Sequence, residues 1–109
     1  MTATFEVLAE ESRRRLLDVL VEGERPVGDL VEALALSQPA VSKHLKVLRD
    51  AGLVESRTEA QRRIYRVRPE PLREVDAWLA PYRRQWADHL NALERHLEIM
   101  DGAGEEPWA

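Results

Sequence analysis

The sequence predicts a mainly α-helical chain with one β-hairpin, in the order four helices, hairpin, helix. Three observations carry this. Val41, Leu45 and Leu48 recur at helical spacing behind a strong capping residue, Ser37. Two runs rich in β-branched and aromatic residues, Val54 to Thr58 and Arg63 to Val67, flank a short polar link. Apolar residues then return at steps of three and four from Leu72 to Met100.

Taken in order, Phe5, Val7 and Leu8 predict a short opening helix. Ser12 is the expected N-cap of a second, whose apolar face is Leu16, Leu17, Leu20 and Val21 and which stops at Glu22-Gly23. Arg25-Pro26 restarts the chain, and Leu30, Val31 and Leu34 mark a third, short helix. Ala35-Leu36 is read as a tight turn. Ser37 caps a helix from Gln38 to Asp50 with Pro39 tolerated in its first turn, and Gly52 follows where a left-handed residue is expected. The link Glu59-Ala60-Gln61-Arg62 joins the hairpin strands, and Pro69 and Pro71 close the hairpin. One helix from Leu72 to Met100 follows. One domain over residues 1–101 is expected, with a flexible tail at 102–109.

At 100° per residue, Val41, Leu45 and Leu48 fall on one stripe and face the core. The far side carries Pro39, Ala40, Ser42, Lys43, Lys46 and Val47, with Gln38 and Arg49 on a flank. A slim surface with hydrogen-bonding groups and lysines suits a DNA major groove. A short helix and a turn precede this helix, and a basic hairpin follows it. That order is a winged helix-turn-helix.

The charge distribution agrees. The chain of 109 residues has a net charge of −4. Residues 37–68 nevertheless hold eight basic and three acidic residues, net +5, against eight basic and seventeen acidic, net −9, elsewhere. Local potential decides phosphate contact, so a basic patch in an acidic chain can bind DNA while the remainder suppresses non-specific binding.

The stretch Ser37 to Val54, SQPAVSKHLKVLRDAGLV, resembles the recognition-helix signature of the arsenic-repressor (ArsR-type) family of bacterial winged-helix regulators. Ser12-Arg13-Arg14-Arg15-Leu16-Leu17 is similar to the start of that family's second helix, Val27-Gly28-Asp29-Leu30 to the start of its third, and Arg63-Ile64-Tyr65-Arg66-Val67 to its second wing strand. The resemblance runs from Phe5 to Met100. It implies a homodimer on double-stranded DNA, usually a repressor and often relieved by a small-molecule inducer. By position it assigns Gln38, Ser42, Lys43, His44 and Lys46 to DNA from the helix, and Arg62 and Arg63 from the wing. His44 lies beside the core stripe, so a half-buried residue and a phosphate contact both fit it. Ala60-Gln61 stands where the family commonly has Gly-Arg. Alanine at positive φ is costly, which predicts a longer or differently shaped wing.

Metal-sensing relatives, on this resemblance, use third-helix cysteines or last-helix Asp/His pairs. The chain has no cysteine, and the matching third-helix positions are Val27, Gly28 and Asp29. On the last helix Asp88, His89, Glu94, His96 and Glu98 are present, but their spacing differs from the family pattern. No metal or cofactor is expected; a repressor with a last-helix metal site is the alternative. A winged helix used only for protein contact would lose Lys43, Lys46, Arg62 and Arg63. No phosphate loop or nucleophile constellation points to an enzyme. Trp78, Tyr82 and Trp86 fit packing better than an inducer pocket. No signal peptide or membrane span is read, so the expected location is cytoplasmic.

The last helix carries the expected dimer interface. Leu72, Val75, Leu79, Tyr82, Trp86, Leu90, Leu93, Leu97 and Met100 form a stripe longer than so small a domain can cover with its own core. Phe5 and Leu8 of the opening helix are expected to join it.

Overall fold

The recognition of local stop and start signals builds most of the architecture. A computed structural model describes residues 1–99, and Met100 and the predicted tail lie outside the described residues. The elements are α1 (Thr2–Leu8), α2 (Glu11–Leu20), β1 (Arg25–Pro26), α3 (Val27–Leu34), α4 (Gln38–Asp50), β2 (Val54–Glu59), β3 (Arg62–Val67) and α5 (Glu70–Ile99). Among the described residues no helix is long and apolar enough to cross a membrane.

Residues 1–75 form one unit. Its core is Leu16, Leu17 and Leu20 of α2, Leu30 and Leu34 of α3, Val41, Leu45 and Leu48 of α4, and Leu53, Val54 and Tyr65 from the hairpin region. Val41, Leu45 and Leu48 are fully buried, as the helical stripe requires. Val47, assigned to the outer face from its angle, is instead half-buried and packs on the core, its apolar side chain extending the buried stripe along one flank.

Ser37 Oγ accepts the Ala40 N–H at 3.3 Å, which starts α4 where expected. At its other end Gly52 (φ 77°) gives its N–H to Arg49 at 2.9 Å, and Leu53 gives its N–H to Leu48 at 2.9 Å. This is a Schellman closure, and its flanking residues, Leu48 and Leu53, are both buried. The cap of α2 is Glu10 rather than Ser12. The Glu10 carboxylate accepts the Ser12 N–H at 3.4 Å, with Ser12 already inside the helix. The Arg14 guanidinium donates to the Leu8 and Ala9 carbonyls at 2.8 and 3.1 Å, which closes α1 onto α2 and leaves no room for a later start.

The sheet has three strands in the order β1-β3-β2, all antiparallel. β1 is a strand that local patterning missed. The hairpin register runs from Val54 opposite Val67 to Glu59 opposite Arg62. Only Ala60 and Gln61 remain as the turn, at φ 48° and 70°. The wing is therefore a tight two-residue turn, which corrects the longer or differently shaped wing expected from its departure from Gly-Arg. Two positive-φ residues suit the twist of a two-residue hairpin, and the ladder offsets a left-handed cost of roughly 1–2 kcal/mol per residue.

The remainder of α5 forms the second unit. Helix α5 begins two residues earlier than read from Leu72, with Pro71 in its first turn, and continues through Pro81, which has no N–H to give the turn behind it. No described residue of α5 is buried. Trp78 and Tyr82 pack ring to ring at 5.1 Å, and Arg83 pairs with Asp76 at 2.8 Å.

Two stability outcomes follow. Leu45→Ala should lose about 2–5 kcal/mol in urea denaturation, the usual range for a buried leucine; a wild-type midpoint would mean the α4 phase is wrong. Ala35, at φ 55° and ψ 39°, closes α3 in the left-handed region. Ala35→Gly should raise stability by about 0.5–1 kcal/mol, since relief of the left-handed strain outweighs the extra glycine entropy. A less stable variant would contradict this.

Candidate nucleic-acid interface

α4 is held by its buried stripe, so its remaining residues are set by geometry. Gln38, Ser42, Lys43 and Lys46 are all exposed. A cleft of about 680 Å³ lies between one flank of α4, the start of α3 and the hairpin. Gln38, Ser42 and Lys46 line it from α4, and Arg62 and Arg63 line it from the wing. The structure thus brings five of the seven residues expected at DNA into one concavity. Lys43 sits on the exposed face outside that lining. His44 is half-buried and lies outside it too, on the opposite flank of the helix with Val47.

Among the other residues lining the cleft, three carry polar or charged groups that matter to its chemistry. Arg49 follows Ser42 by seven positions and so shares its side of the helix, a signal available from the sequence. Gln61, at the exposed tip of the two-residue turn, is another. Asp29, at the start of α3, adds an acidic group among Lys46, Arg49, Arg62 and Arg63. The lining is therefore net positive inside a protein of net charge −4.

The basic residues of 37–68 divide by partner. Lys46 pairs with Asp50 at 2.8 Å, and the lysine holds the Asp50 carboxyl below its ordinary range. Arg57 pairs with Glu24 at 2.7 Å and Glu59 at 3.0 Å. Arg66 pairs with Glu55, and Arg68 lies 3.6 Å from Glu70. Lys43, Arg49, Arg62 and Arg63 form no ion pair with a carboxylate among the described residues. These four remain available to an external anion, and they lie on α4 and the hairpin tip.

Among the described residues no three of His, Asp and Glu gather as metal ligands. His96 is half-buried, with an unpartnered Nε2.

Residues 10–56 match the model of the bacterial regulatory protein arsR family. The chain is 35% identical to the HTH-type transcriptional regulator Rv2034 of Mycobacterium tuberculosis, over 94% of its own length and 90% of that protein. The chain belongs to the arsR family. It is 40% identical to the arsenical resistance operon repressor of Escherichia coli, over 93% of the chain and 87% of that protein. Its fold is similar to the solution structure of the homodimeric winged helix-turn-helix DNA-binding domain Mb0332 from Mycobacterium bovis, with a TM-score of 0.64 at 30% identity, covering 81% of this chain and 82% of that one. As an arsR-family protein with a winged-helix fold it is a DNA-binding regulator of transcription.

The Lys46–Asp50 pair makes a prediction. Asp50→Asn should release Lys46, tighten binding to duplex DNA and steepen its salt dependence by up to about one ion. An unchanged slope and affinity would remove Lys46 from the contact set.

Proposed function

We propose that this arsR-family chain is a cytoplasmic homodimeric repressor that reads a palindromic operator with α4 in the major groove and the wing on the adjoining backbone. The observation that carries the DNA reading is the segregation of charge: Lys43, Arg49, Arg62 and Arg63 form no ion pair among the described residues and sit on the helix and hairpin tip, whereas Arg57, Arg66 and Arg68 are paired. Gln38 and Ser42 supply hydrogen-bonding groups for base edges beside these cations. Arg49 joins six of the seven residues expected from sequence, Gln38, Ser42, Lys43, Lys46, Arg62 and Arg63. His44, half-buried on the far flank, serves α4 packing more than DNA.

The dimer rests on α5. Tyr82, Trp86 and Leu90 are 54%, 66% and 51% exposed, and Leu79 and Leu97 are exposed as well. Leu93 is half-buried, and from α1 Phe5 is exposed while Leu8 packs partly on the core. So long an apolar stripe in a small chain fits a second copy. A two-fold pair sets two recognition helices about 34–36 Å apart, one turn of duplex.

The Escherichia coli relative is named for arsenical resistance, and that role does not carry over to this chain. Arsenicals are soft and call for thiolates, and this chain has none. Repression here is either unliganded or relieved by a ligand that needs no thiolate and acts on the angle between the halves.

Leu93→Asp with Leu97→Asp should yield a monomer in sedimentation and abolish operator binding. A folded dimer that still binds the palindrome would place the interface elsewhere.

A further inference from the structure

Ile64 of β3 is 5% exposed, yet it stands apart from the hydrophobic core cluster. In the sheet it lies between Arg57 of β2 and Pro26 of β1. Cross-strand neighbours share a face, so Arg57, Ile64 and Pro26 lie on the sheet face opposite Tyr65, which belongs to the core. Arg57 covers that outer face. Its guanidinium donates through Nη1 and Nη2 to the two Glu24 oxygens, both at 2.7 Å, and Nη2 also donates to Glu59 at 3.0 Å. Glu24 immediately precedes β1. The pair therefore reaches from one edge strand, across the central strand, to the chain entering the other edge.

The β1–β3 ladder spans two residues, one of them Pro26, which has no N–H to donate. That is a weak tether between the hairpin and the chain that leads into α3, the first helix of the helix-turn-helix. A two-pronged arginine–carboxylate contact adds direction as well as attraction. Two carboxylates also occupy Arg57, while Arg62 and Arg63, a few residues further along the hairpin, have none.

We propose that Glu24 and Arg57 are a positioning pair that fixes the angle of the wing to the helix-turn-helix, and so presents Arg62 and Arg63 to the DNA backbone without Arg57 touching it. This rests on the reading of the wing as a DNA-contacting element. Arg57 is exposed, so its effect is one of aim: loss of the pair weakens operator binding by about two- to fivefold, the scale of an exposed ion pair.

The test uses the full chain. Because it has no cysteine, spin labels can be placed through Gln61→Cys at the wing tip and Val21→Cys at the end of α2. Without DNA, the inter-label distance distribution should broaden or shift when Glu24→Gln or Arg57→Lys is added, since lysine keeps the charge but not the fork. An unchanged distribution in both variants overturns the proposal whatever DNA binding does. With operator DNA, Glu24→Gln and Arg57→Lys should weaken binding to the same extent, the double variant no further, at an unaltered salt slope. Tighter binding by Glu24→Gln, with wild-type binding by Arg57→Lys, would make Arg57 a phosphate contact and also overturn it. Failure of the wild-type chain to bind any duplex would instead strike the DNA reading of the wing.

Discussion

The burial of Val41, Leu45 and Leu48 is the constraint on which the interface depends. All three are fully excluded from solvent, so α4 cannot rotate about its axis without lifting leucines out of the core. A helix fixed in phase has a fixed outer face, and Gln38, Ser42, Lys43, Lys46 and Arg49 are what remains. Its ends are fixed as tightly. Ser37 sets the start and the Gly52 closure sets the stop, and the same closure leads through buried Leu53 and Val54 into β2. The Arg68 N–H to the Leu53 carbonyl, at 2.8 Å, returns the hairpin to that point. Recognition helix and wing thus grow from one buried junction, which makes their separation a property of the core.

Electrostatics then selects within the positive segment. Pairing four of its eight basic residues with carboxylates leaves the others on the helix and at the hairpin tip. With net −9 outside residues 37–68, the rest of the molecule repels the backbone. Such a protein gains little from undirected attraction and depends on correct docking, which favours specificity over general affinity for DNA.

Where the sequence was legible, the signal was local. Ser37, Pro39 and Gly52 announce α4 within a few residues of its ends, and α4 has the predicted bounds. The β-branched and aromatic runs Val54 to Thr58 and Arg63 to Val67, on either side of a polar link, placed the hairpin. Where it was not legible, the cause was distant in the chain. β1 is two residues with a proline, and only its pairing with Ile64 and Tyr65 makes it a strand. Glu24 and Arg57 meet across 33 positions. Glu10 displaced Ser12 as a cap because Arg14 draws the end of α1 onto the start of α2, a tertiary effect that cap preference alone does not include. The tight Ala60-Gln61 turn reversed an expectation drawn from alanine's aversion to positive φ, since ladder pairing on both sides outweighed it. Arg49 and Lys46 divide the same way: helical angle reaches both, but the Asp50 partner of Lys46 emerges only with side chains in place.

The central proposal is that two copies present two α4 helices to the two halves of one operator. The most direct measurement takes the operator recovered by mapping bound sites and varies the distance between its half-sites. Lengthening the centre by about five base pairs, half a duplex turn, puts the second half-site on the opposite face of the DNA. The account predicts that affinity falls to that of a single half-site and that an insertion of about ten base pairs does not restore the original complex geometry. Equal affinity for all three spacings would contradict it.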